Sequence, residues 1–215
     1  MARQTRERIL ETSLAMFNAQ GEPNVTTNHI ADELGISPGN LYYHFRSKDD
    51  IVEHLFARYE ASVGDALLLP DGRAPNLEDI WLQLHLVFES LWGYRFLYRD
   101  LVDILARNRK LKLRFARIMT RASASAAQMM EGLARAGILR ASSAEIAALA
   151  ENVLLVATFW LSFTAVRGGK IEAAPDDLAR GIHQVMMLIA PFLRDEERAH
   201  LNGLARAYTP SLPAE

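Results

Sequence analysis

The 215-residue chain carries 24 Lys and Arg against 26 Asp and Glu, a net charge of −2, and half of its residues are hydrophobic. That length is enough to bury the core of one or two globular domains. The absence of cysteine excludes disulfides, thiolate chemistry and cysteine-ligated zinc, and the near-neutral balance lacks the basic excess that nucleic-acid binders often carry.

The start holds Arg3, Arg6 and Arg8 and no apolar run, so it does not read as a secretory signal, and a cytoplasmic protein is expected. From there the periodicity is helical throughout, without strand-like alternation or internal repeats. Thr5 is placed to cap a first helix with Leu10, Leu14 and Phe17 on one face, ended by Gly21 and Pro23. A second helix is predicted from about Thr27 to Leu34, with Ile30, Ala31 and Leu34 inward and Gly35 as a left-handed C-cap. Ser37 caps a third, with Pro38 at its first position, where a missing N–H costs nothing. Ser47 caps a fourth, Asp50 completing a short capping box. This helix carries Ile51, Leu55 and Tyr59 and reaches Leu67 before Pro70.

Beyond that loop the helices lengthen. Asn76 caps a helix to Trp92, Gly93 breaks it, and helices follow over about 95–106 and 110–136, the latter stopped by Gly137. Ser142 and Glu145 read as a capping box for an apolar helix ending at Gly168 and Gly169. Pro175 opens a helix to about Leu193, and a last amphipathic helix covers about Glu196 to Ala207. The expectation is an all-α protein of nine or ten helices: three short helices over 1–47, a connecting helix over 48–69, and a larger bundle over 70–215.

Residues 26–45 carry the functional signal. Two short helices meet at the tight turn Gly35-Ile36-Ser37, with small Ala31 where they cross and Ile36 as an apolar plug. This spacing describes a helix-turn-helix whose second helix can enter a major groove. Gly39 lets backbone approach bases or phosphate. Asn40 can both donate to and accept from a base edge. Tyr42, Tyr43 and His44 offer phosphate donors and apolar surface. Adjacent helical positions point about 100° apart, so the two tyrosines cannot both be core.

The run Thr26-Thr27-Asn28-His29-Ile30-Ala31-Asp32-Glu33-Leu34-Gly35-Ile36-Ser37-Pro38-Gly39-Asn40-Leu41-Tyr42-Tyr43-His44-Phe45-Arg46-Ser47-Lys48-Asp49-Asp50 resembles the DNA-binding signature of the TetR family of transcriptional regulators. The likeness spans about Thr5 to Leu55; the rest of the chain matches in helix count and length. It implies DNA contacts at Thr27, Ser37, Gly39, Asn40, Tyr42, Tyr43, His44 and Lys48, the last placing its ammonium on a phosphate near a helix N-terminus. It also implies a helix-turn-helix DNA-binding domain over 1–47, a ligand-binding and dimerisation domain over 70–215, and a homodimer, built on the helices 143–166 and 175–193, that binds a palindromic operator. Repression is the family's usual mode, relieved by a small effector. An activator of the same fold, or a ligand-binding protein with weak DNA affinity, is the alternative. Against DNA binding, residues 1–50 hold Arg3, Arg6, Arg8, Arg46 and Lys48 but Glu7, Glu11, Glu22, Asp32, Glu33, Asp49 and Asp50.

In the larger domain, the stretch 152–166 is uncharged but too short to span a bilayer. A helix apolar nearly all round is expected to be buried on every side, within the chain or in a dimer. Trp81, Phe88, Trp92, Tyr94, Phe96, Met119, Met129, Phe159, Trp160 and Phe163 gather in the middle of this domain, as ordinary core or as the lining of a cavity for an apolar or amphipathic effector. Arg107, Arg109, Lys110, Lys112 and Arg114 form a basic run, read as a solvated helix start or an anion site. No cofactor motif, nucleophile elbow or metal-ligand set is present, and His85 with Glu89 supplies only two ligands, so neither an enzyme nor a cofactor is expected.

Overall fold

Short-range polar contacts set most helix boundaries in the computed structural model of the protein, which describes residues 2–168 and 175–205. The α-helices are α1 (Ala2–Gln20), α2 (Thr27–Leu34), α3 (Pro38–His44), α4 (Lys48–Ala66), α5 (Leu77–Gly93), α6 (Arg95–Arg99), α7 (Leu101–Arg107), α8 (Arg109–Arg135), α9 (Ser143–Gly168), α10 (Pro175–Ile189) and α11 (Asp195–Ala205). Two 3-10 turns, Glu22–Asn24 and Ala190–Phe192, complete the described elements, and an isolated bridge joins Leu139 to Leu193. The fold is all-α, as expected.

Beyond α1 the caps fall where the sequence places them. Thr26 accepts from the His29 amide, and His29 Nδ1 accepts in return from the Thr26 amide. Gly35 adopts φ 64°, a left-handed turn that glycine enters without a Cβ clash. Ser37 Oγ accepts from Asn40 N at 3.2 Å, and Ser47 Oγ from Asp50 N at 3.1 Å. Asp50 reaches back to the Arg46 amide, one residue before the cap. Ser142 and Glu145 form the reciprocal box at the start of α9.

At α5, Asn76 Oδ1 accepts from Asp79 N at 3.0 Å while Asp79 Oδ2 accepts from Asn76 N at 2.9 Å. Arg73 donates to both Asp79 oxygens and, with the Asn76 amide, holds that carboxyl below its ordinary value. Such a depressed carboxyl stabilises the fold above its unfolded-state value, and the contribution is lost as acid protonates it. Asn76→Ala is expected to cost about 1 kcal/mol, read as a lower denaturation midpoint with an unchanged denaturant slope.

Three expectations are corrected. α1 begins at Ala2, so Thr5 lies within it and not at its N-cap. The helix expected over 95–106 breaks at Asp100 (φ −107°, ψ 20°), which makes eleven α-helices among the described residues. α10 stops at Ile189, and Pro191, lacking an N–H for the helix ladder, sits in the following 3-10 turn. The predicted ends at Gly169 and Ala207 lie outside the described residues.

The chain divides into two compact units, one running to Ser62 together with Gly93–Arg114, the other comprising Val63–Trp92 and the described residues from Phe115 onward. The polypeptide therefore crosses between units three times: within α4, at the end of α5 and within α8. In the first unit, Phe17, Ile30, Leu41, Phe45, Leu55, Tyr59, Phe96 and Leu97 are fully buried or nearly so. In the second, α5, α8, α9, α10 and α11 share one core that includes Phe88, Met129, Leu149, Val185, Met186 and Leu201.

α9 is long and apolar enough to cross a membrane by composition alone. It is not buried on every side within the chain. Ile146, Leu149, Val153 and Leu161 face the core. Leu155, Phe159, Phe163 and Val166 are exposed, at 56%, 45%, 52% and 87%. Their spacing of four, four and three residues aligns them in one stripe along the helix.

Candidate DNA interface

The reading helix stands where the sequence puts it. Leu41 and the following Phe45 are buried and anchor α3, while Gly39, Asn40, Tyr42 and Tyr43 are exposed. Tyr43 is 81% exposed, unusual for so large an apolar ring, and its edge meets the half-buried His44 ring at 5.2 Å. Ser37 is exposed and committed to its cap, and Thr27 bonds the Tyr42 hydroxyl at 2.9 Å. A shallow open depression beside α3 is lined by Thr26, Thr27, Tyr42, Arg46, Ser47 and Lys48. Hydroxyls and two cations around a concavity suit a phosphate oxygen. Thr26, Arg46 and Ser47 were absent from the expected contacts, although Arg46-Ser47-Lys48 at a helix start is a visible signal for them.

Lys48 is also tied inward. Its ammonium lies 3.1 Å from Glu22 Oε1 and donates to the Glu22 carbonyl at 2.9 Å. Glu22 is completely buried, and its other oxygen pairs with Arg107 of α7. Glu22 N in turn donates to Asp100 Oδ2 at 3.2 Å. Burial raises the Asp100 carboxyl, against the pull of that amide and of Arg99. Nothing in the sequence around Glu22 marks it as buried.

The same segment holds the end of α1. Asn18 donates to Gly93 O at 2.7 Å and accepts from Phe96 N at 3.1 Å, and Arg99 donates to Phe17 O at 2.7 Å. The basic run is mostly neutralised. Lys110 pairs with Glu53 at 2.5 Å, and Arg114 with Glu60 at 2.5 Å while lying over the Phe56 ring. The Lys110 bond is the main reason the Glu53 carboxyl sits below its ordinary value. Three of the five cations of that run thus fasten α4 and the Glu22 turn, and Arg109 and Lys112 remain exposed. The acidic balance of the N-terminal region is correspondingly smaller at its surface, since Glu22 is buried and Glu7 is paired with Arg58 at 2.6 Å.

The aromatic and methionine side chains considered for an effector cavity separate. Phe88 and Trp160 close on Gly181, Met129 belongs to the same core, and Trp81 packs on it and stacks on His85. Met119 accepts a long contact from Thr158, and Trp92 is half-buried. Tyr94 and Phe96 do not join them; they pack in the first unit against Tyr59 and Phe17. Phe159 and Phe163 lie on the exposed stripe of α9. His85 Nε2 lies 3.2 Å from Glu89 Oε1, and among the described residues no larger group gathers that could hold a metal.

Comparison with known proteins agrees with this geometry. Residues 9–55 match the family described as bacterial regulatory proteins, tetR family, and residues 58–201 match TetR, bacterial transcriptional repressor. The HTH-type transcriptional regulator AcrR of Shigella flexneri is 30% identical over 75 residues, 35% of each chain. An HTH-type regulator of Staphylococcus aureus (strain USA300) is 40% identical over 57 residues, 26% of this chain and 31% of that one. The aligned part thus spans about a third of these relatives' length. A TetR-family regulator from Marinobacter aquaeolei VT8, known from a crystal structure, superposes with a TM-score of 0.86 at 40% identity, over 95% of this chain and 98% of that one. A regulator from Saccharomonospora viridis, solved with choline, shares the fold at 20% identity and a TM-score of 0.64, over 95% and 96% of the two chains. With its reading helix exposed, both family regions matched and a near full-length relative of the same architecture, this chain belongs to the TetR family of helix-turn-helix transcriptional regulators.

Proposed function

We propose that the protein is a ligand-responsive repressor that binds a palindromic operator as a homodimer and is released by a small apolar or amphipathic effector. The observation that carries the DNA-binding part is the exposed face Asn40, Tyr42 and Tyr43 beside the hydroxyl and cation depression that ends at Lys48. Thr27, Ser37, Gly39 and His44 complete the contact set. The exposed apolar stripe of α9 supports a second copy as partner, since single chains rarely leave large contiguous apolar surface in water. The effector class rests on the aromatic surroundings of Trp81, Phe88 and Trp160. Relatives of the same fold are described with triclosan (SmeT) and with choline. The site of action is taken to be the cytoplasm.

The test is a binding titration against the protein's own promoter region and an unrelated duplex. Lys48→Gln is expected to weaken binding to both alike and to shallow the slope of log K against log salt by about one unit. Asn40→Ala is expected to cost about 1–3 kcal/mol on the operator and little on the unrelated duplex. Wild-type protein that fails to bind either DNA overturns the reading.

For the switch, only an effector that prefers one arrangement of the two reading helices shifts the equilibrium. Operator and effector must weaken each other by the same factor. The chain passes between the two units within α4, at the end of α5 and within α8, so the connecting helix α4 is not the sole covalent link between them.

A further inference from the structure

Glu22 is a carboxylate with no exposed surface that faces two cations, Lys48 from the start of α4 and Arg107 from the end of α7. A buried carboxylate without a cation is strongly disfavoured, but one good partner satisfies the requirement. The second is in principle releasable. The two cations are unequal in what else they reach. Arg107 also pairs with Asp103 at 3.6 Å, and the neighbouring Arg99 and Asp100 hold Phe17 O and Glu22 N. Lys48 is 24% exposed and lines the open depression next to Thr27 and Arg46.

Building on the DNA-binding reading above, we propose that Glu22 is a switch point: Arg107 satisfies its buried charge and frees Lys48 for a DNA phosphate, whereas displacement of Arg107 leaves Lys48 as the sole counter-ion and withdraws it from DNA. Lys48 cannot serve both anions at full strength, because its one positive charge is shared between them. A shift of α7 that separates Arg107 from Glu22 therefore lowers DNA affinity without moving the reading helix. Glu22 acts here as a positioning residue, since it touches Lys48 and not the DNA.

The test uses the full chain and a variant set. Arg107→Gln is expected to lose about tenfold in affinity for operator and unrelated DNA alike, with a salt slope shallower by about one unit, as if Lys48 had been removed. Glu22→Gln/Arg107→Gln is expected to recover most of that loss, because the bond to the backbone carbonyl of residue 22 then remains without a carboxylate charge to hold Lys48 back. Arg107→Gln added to Lys48→Gln is expected to change nothing further. A DNA-free measurement accompanies these: limited acetylation with acetic anhydride, read by mass spectrometry, is expected to modify Lys48 several-fold faster in Glu22→Gln and several-fold slower in Arg107→Gln. That order of rates in a protein that binds no DNA supports the shared carboxylate and overturns the DNA-binding reading instead. Unchanged affinity in Arg107→Gln, equal loss in the Lys48→Gln background, or acetylation rates indifferent to Arg107 overturn the proposal.

Discussion

Leu155→Glu is expected to turn the proposed dimer into a monomer and to lower its affinity for a two-site operator by about 10²–10⁴-fold, the usual gain from linking two binding modules. Leu155 is 56% exposed in the single chain, so a carboxylate there stays hydrated in the monomer and leaves the fold intact. In a two-fold interface the same residue faces its own neighbourhood on the other copy, which brings two like charges into an apolar seam with no counter-ion. Helical content and the melting midpoint of the monomer are therefore expected to persist while sedimentation shows the lighter species at micromolar concentration. A variant that still sediments as a dimer places the interface away from α9. Met186, on α10, does not serve for such a substitution. It is fully buried inside its own chain, so a charge there is expected to unfold the protein and does not report on association.

Gly181→Val is expected to destabilise the second unit by about 3 kcal/mol, the upper end of ordinary overpacking. That corresponds to a fall in melting temperature of about 6–12 °C for a chain of this size. A Cβ at Gly181 would overlap the Phe88 ring and lie 2.7 Å from Trp160 Cδ1. Phe88 is 3% exposed, and Trp160 is fastened by its indole N–H to Asp177 O at 2.5 Å, so neither ring can swing aside cheaply. Gly203 in α11 is the matched control, because a Cβ there meets nothing within 4 Å. Gly203→Ala is expected to raise stability by about 0.5–1 kcal/mol through helix propensity. Equal destabilisation by both substitutions would show that backbone freedom and not the close approach of α10 to Phe88 and Trp160 sets the requirement.

The helix-turn-helix was legible in the sequence because its determinants are local. A cap, a left-handed glycine and a proline at the first turn act over three or four residues, and the bonds of Thr26, Ser37, Ser47, Asn76 and Ser142 fall at that separation. The exposed and buried sides of α3 follow from the same short range, since Leu41 and Phe45 are one helical turn apart and leave Tyr42 and Tyr43 no place in the core. What only the tertiary structure decided depends on residues far apart in the chain. Glu22 is bonded across 78 positions to Asp100 and across 85 to Arg107, and no local pattern signals that a glutamate after Gly21 will be buried. The packing of Phe96 on Phe17 and the break of the 95–106 helix at Asp100 belong to that same distant pairing. For α9, composition could not say which side meets the core. A helix apolar all round has no moment to orient it, and the choice was made by α10 and its core neighbours covering Ile146, Leu149 and Val153 while leaving Leu155, Phe159 and Phe163 in water.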